Sequence, residues 1–221
     1  MKHATFGLVL LSAAFVSLDA PRAQSQAPAK PSLAFQPAHR VSGTIPNPPF
    51  NAIGWVEAVI DVEVSERGSV TRTTALRATP GGQNSVIPAL TNWKFDPAND
   101  GKDAAASHVL VAAVFRPAQF FDPAGGSPVE DLGQPGSGVP FPMMTARPAY
   151  PQKRVGNRTV MVEARIDASG RIEKTTVVTD ASGFDDAALE AARKWTFRPA
   201  QFKTENVPGV AYLIFGFRAP V

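Results

Sequence analysis

Cysteine is absent from all 221 residues, which removes disulfides, thiolate metal sites, a cysteine nucleophile and a lipoprotein cleavage cysteine together. The fold must therefore be held by packing. Histidine is scarce as well: His3, His39 and His108 stand far apart, without the spacing of a metal site or a catalytic triad. No Walker loop, G-x-S-x-G elbow or dinucleotide-binding turn occurs, and Gly136-Ser137-Gly138 lies among turn formers rather than between a strand and a helix. Despite a pI of 9.4, no dense Lys/Arg stripe marks a nucleic-acid footprint. These absences point away from an enzyme, a cofactor, a metal and a nucleic-acid partner, and toward protein binding.

A long apolar run is also missing. Lys2 and His3 precede a short one, Phe6 to Leu18, followed by Asp19, Pro21 and the small residues Ala23 and Ser25. A membrane span needs roughly 20 apolar residues, so residues 1–25 read as a cleavable signal peptide and the mature chain as periplasmic. The alternative is an inner-membrane anchor. Removing Lys2, Asp19 and Arg22 takes the net charge of +3 to about +2, with both signs mixed along the chain.

What is abundant is proline and glycine, 21 and 17 residues, which favours short elements joined by turns. Compared with itself, the sequence repeats at an offset of 102 (195 minus 93), which sets Trp93 on Trp195. The same offset carries Pro46 onto Pro148, Gly68 onto Gly170, Phe95 onto Phe197, Pro97-Ala98 onto Pro199-Ala200 and Phe115-Arg116 onto Phe217-Arg218. No gap is needed. This pattern implies two tandem modules, 41–117 and 146–221, joined by a Pro/Gly-rich linker over 118–145 and preceded by an extended leader over 26–40.

Within each module, periodicity predicts β-β-α-β. Val160, Val162, Ala164 and Ile166 alternate with Met161, Glu163 and Arg165, and Ala58, Ile60, Val62 and Val64 keep the same phase. Turns ending at Gly68 and Gly170 lead into a second, Thr- and Val-rich strand. Phe184, Ala188, Ala191, Ala192 and Trp195 then share a helical face, with Asp185 and Asp186 suited to the helix start rather than to acid/base chemistry. A final strand, Val210 to Arg218, repeats Val109 to Arg116. The expected fold is α+β: two small antiparallel sheets, each packed on one helix, with Trp93, Phe95, Trp195 and Phe197 in the cores.

Tyr150-Pro151, the hairpin run Ile166-Asp167-Ala168-Ser169-Gly170-Arg171-Ile172 and the helix ending Trp195-Thr196-Phe197-Arg198-Pro199-Ala200 resemble the TonB C-terminal domain. The first module resembles it more weakly, with Pro48-Pro49-Phe50 in place of the Tyr-Pro region. The resemblance implies a periplasmic interaction domain of Gram-negative bacteria, linked to energy-dependent transport, that pairs strands with an extended segment of an outer-membrane transporter or another envelope protein. Its partner-binding residues would be Pro148, Tyr150 and Pro151, then Tyr212, Leu213, Ile214 and Phe215. Arg147 stands where the family has Gln. A competing expectation is a structural or adaptor protein with no transport role, whose modules pack on each other into a continuous sheet or a sandwich and consume those edges.

Overall fold

The computed structural model describes residues 35–49, 54–117, 126–128, 138–179, 181 and 183–220. The signal-peptide reading of residues 1–25, much of the leader and much of the linker lie outside them. In chain order the elements are β1 (His39–Ser42), β2 (Val56–Val64), β3 (Val70–Ala78), α1 (Gly82–Leu90), β4 (Lys94–Asp96), β5 (Ala98–Asn99), β6 (Ala104–Ala105) and β7 (Ser107–Phe115). There follow β8 (Gly126–Pro128), β9 (Pro142–Ala146), β10 (Arg158–Ile166), β11 (Ile172–Val177), α2 (Asp185–Arg193), β12 (Thr196–Phe197), β13 (Ala200–Phe202), β14 (Glu205–Val207) and β15 (Gly209–Phe217). The fold is α+β.

In place of one small antiparallel sheet per module, the long strands form one six-stranded sheet in the order β11-β10-β15-β7-β2-β3, the continuous sheet of the competing expectation. Each hairpin is antiparallel and each final strand runs antiparallel to the first strand of its own half. The two final strands then pair with each other in parallel, from Ala211 opposite Leu110 to Gly216 opposite Phe115. The reason lies in their composition. Val109 to Phe115 and Val210 to Phe215 are apolar on both faces, and a strand of that kind needs cover above and below, which a central position supplies. All nine residues of β15 are buried.

Alternation divides these side chains between two cores. Ala211, Leu213, Phe215 and Phe217 join Ala188, Ala191 and Ala192 of α2 on one face, with Leu110, Ala112 and Val114. Val210, Tyr212 and Ile214 join Val86 and Leu90 of α1 on the other, with Val109, Val111 and Ala113. Successive residues of a strand point to opposite faces, so the helices cover opposite sides of the sheet. The inward phase read for β2 and β10 holds, but the opposite face is covered too. Val59 and Met161, on the face expected to meet solvent, are 5% and 0% exposed.

The segments before each hairpin supply that cover. Ala38 is fully buried and β1 pairs with β4, so the described end of the leader is part of the core. At the end of the expected linker, Val139 and Phe141 are buried and β9 pairs with both β12 and β8. Equivalent bonds recur: the Trp93 indole N–H donates to the Thr44 carbonyl at 2.6 Å and the Trp195 indole N–H to the Ala146 carbonyl at 3.0 Å. Gly68 and Gly170 have φ of 75° and 86°. A Cβ on either would fall 1.8 Å from the Phe95 carbonyl oxygen or 2.3 Å from that of Phe197, so glycine is required by conformation and by space.

Candidate functional site

The residues singled out for partner binding separate into two groups. Tyr212, Leu213, Ile214 and Phe215 sit mid-strand in β15, at most 1% exposed, and pair with β10 on one side and β7 on the other. A strand bonded along both edges has no free N–H or C=O row to offer. The expected accepting edge at β15 is therefore replaced by an internal contact, because two-sided apolarity draws this strand to the sheet centre.

Pro148, Tyr150 and Pro151 lie on the path from β9 to β10. Pro148 is buried and Tyr150 and Pro151 are half-buried. The Tyr150 hydroxyl donates to the Gly156 carbonyl at 2.8 Å, and its ring meets Phe184 edge-on at 5.5 Å. The Arg116 guanidinium lies 5.3 Å from the Tyr150 ring centroid and donates to the Arg218 carbonyl at 2.8 Å. One residue thus ties the end of the first half to the entry and exit of the second. Arg147 does similar work, pairing with Glu57 at 3.0 Å and covering the Trp55 ring at 4.9 Å.

Trp93, Phe95, Trp195 and Phe197 are all buried at 7% exposure or less. Trp93 meets Tyr212 edge-on at 5.6 Å, so an aromatic cluster joins the halves on the α1 face. The buried acids Asp61 and Glu163 escaped sequence reading, because their partners come from distant strands. His108 Nδ1 lies 2.8 Å from Asp61, across β2 and β7. Glu163 lies 3.1 Å from His39 and 3.0 Å from Arg165, and accepts from the Tyr212 hydroxyl at 3.4 Å. Burial first, then the nearby Glu163 carboxylate, pushes the Tyr212 phenol well above its ordinary range; the backbone bond from Arg40 opposes both. His108 is held above the usual histidine value chiefly by its bond to Asp61, against partial burial.

These pairs tie β2 to β7 and β1 to β10. An open pocket of about 610 Å³ beside His108 is lined also by Glu63, Ser65, Arg67 and Thr71, a mixture of signs with no converging reactive group. Among the described residues no cluster of His, Asp or Glu suits a metal ion, and no helix is long and apolar enough to cross a membrane.

Backbone is available for recognition at the edges of the sheet. Among the described residues, only β3 and β11 of the six strands of the main sheet have an unpaired side, and both carry exposed Thr and charged residues. An edge of this kind can be extended by an added polypeptide strand. No curated protein matches the chain. Residues 146–218, which span β10, β11, α2 and all of β15, match the family described as Gram-negative bacterial TonB protein C-terminal, and it is to that domain that this part of the chain is similar.

Proposed function

We propose that this chain is a protein–protein interaction module of the Gram-negative cell envelope that binds an extended segment of an outer-membrane transporter or another envelope protein by strand addition. The observation that carries the reading is the combination of the family match over residues 146–218 with a sheet whose outer strands keep an unpaired side among the described residues. Main-chain bonds along such a side supply affinity, and the side chains flanking it supply selectivity. The resemblance and the short apolar N-terminal run favour export to the periplasm through a cleaved signal, with a role linked to energy-dependent transport.

The two halves are read as tandem copies of one β-β-α-β module. Matching indole bonds from Trp93 and Trp195 and matching glycines at Gly68 and Gly170, each pair 102 residues apart (195 minus 93 and 170 minus 68), support this. A second reading, a structural adaptor whose modules pack on each other with no transport role, is favoured by one observation: β7 occupies the side of β15 that a partner strand would need.

In-cell photo-crosslinking from Thr74 on β3 and Thr176 on β11, both exposed, tests the function. Capture mapped to an extended segment of an outer-membrane transporter is the expected result. Crosslinks confined to the chain itself, from both positions, would favour the adaptor.

A further inference from the structure

The two open edges are not equivalent. In β3 the pairing with β2 slips twice, leaving Leu76 and Thr71 as extra residues, and such bulges break the outward row of N–H and C=O groups. Arg72 is also engaged with Glu63 at 3.3 Å. In β11 the pairing slips once, near its start, where Glu173 is extra. From Lys174 onward the register is unbroken, and the Val178 N–H bonds to the Met161 carbonyl at 2.8 Å. Antiparallel bonding alternates, so Val178, Thr176 and Lys174 direct their backbone groups to β10. Thr175 and Val177 direct theirs outward.

The side chains along this edge have a pattern. Thr175 and Val177 lie opposite Ala164 and Val162 on the α2 face. Lys174, Thr176 and Val178 occupy the other face, and Val178 is 41% exposed. Lys174 stands directly opposite Arg165, a pairing of like charges that costs stability unless neutralised. Glu163 neutralises Arg165 at 3.0 Å, whereas Lys174 has no ion pair among the described residues. A cation without a counterion and an exposed valine, four residues apart on one face, are what an incoming strand would meet.

We infer that the outer edge of β11 is the accepting edge, and that its partner is an extended segment carrying a carboxylate and a β-branched apolar residue four positions apart on one face. The carboxylate lies beside Lys174 and the apolar residue beside Val178, with backbone bonds to Thr175 and Val177. This specifies the partner class and rests on the strand-addition reading above. A lysine on an edge strand has an alternative use, as a guard against unwanted pairing, and the experiment separates the two.

The full chain, labelled with ¹⁵N, is titrated with the peptide acetyl-Ser-Glu-Val-Thr-Val-Val-Thr-Ser-amide, which sets its Glu beside Lys174 in a parallel pairing, and with its reverse, acetyl-Ser-Thr-Val-Val-Thr-Val-Glu-Ser-amide, for an antiparallel one, while backbone amide shifts are followed. The amides of Thr175 and Val177 should move most. Lys174→Glu should weaken binding at least tenfold, and a peptide with Lys in place of its Glu should restore binding to that variant. Thr175→Pro removes only an outward N–H, so it should keep the spectrum of the folded chain and lose the peptide. No shift in the unsubstituted chain overturns the proposal and leaves Lys174 a guard. Shifts centred on β3, unaffected by Lys174→Glu, overturn the site while leaving strand addition standing.

Discussion

At position 108 a histidine reaches diagonally across the β2–β7 pair to Asp61, with Gly138 pressed so close that a Cβ there would fall 2.8 Å from the ring. The bond to Asp61 is the main cause raising the folded-state pKa, with Glu63 helping and Arg72 and partial burial opposing. A histidine whose pKa is raised on folding adds stability that is full below its unfolded value of about 6.5 and is lost as pH climbs through the folded value. His108→Gln should therefore destabilise the protein more at pH 6 than at pH 8.5, as urea unfolding at the two pH values would measure. An equal effect at both would show that the ring acts through packing alone. The sequence offered no hint of this pair, since residues 47 apart meet only once the strand register is set. Gly170, by contrast, was legible, because Asp167-Ala168-Ser169-Gly170 ends in the residue that tolerates positive φ.

The two helices differ at the scale of the element. α2 begins with Asp185 and Asp186 and ends with Arg193, which complements its dipole, and its buried face is alanine. α1 has no acid in its first turn and no base in its last, and it carries Pro88 in its interior. Proline there has no N–H to give the preceding turn and costs about 3 kcal/mol relative to alanine. Because Pro88 is exposed, Pro88→Ala should stabilise the protein by about 1–2 kcal/mol, measured as a shifted denaturation midpoint at constant slope. An unchanged midpoint would mean the turn is held wholly by Val86 and Leu90 packing on the sheet. The strands show the reach of periodicity: β10 was readable from strict alternation, while β1 and β9 were not, being short segments that gain strand geometry only by pairing with β4 and β12.

For the whole molecule, the parallel contact of β7 with β15 governs cohesion. It joins two cores on opposite faces, and separating the halves would bare Tyr212, Ile214 and Phe115 to water. Each such side chain stabilises the union by about 1.5–3 kcal/mol when fully buried. Cutting the chain at a protease site inserted within residues 129–137 should thus leave the two fragments co-eluting as one species of unchanged size, parting only in denaturant. Fragments that separate in native buffer would show that each half folds by itself and that the shared sheet is secondary.

The sequence by itself determined the hairpins, the helix α2, the turn glycines and the α+β class, because these follow from local periodicity and from backbone conformations that few residues tolerate. It also held the resemblance over residues 146–218. Only the tertiary structure decided which edges are open. Apolar residues on both faces of a strand say that it is covered above and below, but not what lies beside it. That depends on a partner strand roughly 100 residues away, whose pairing leaves β15 closed and β11 free.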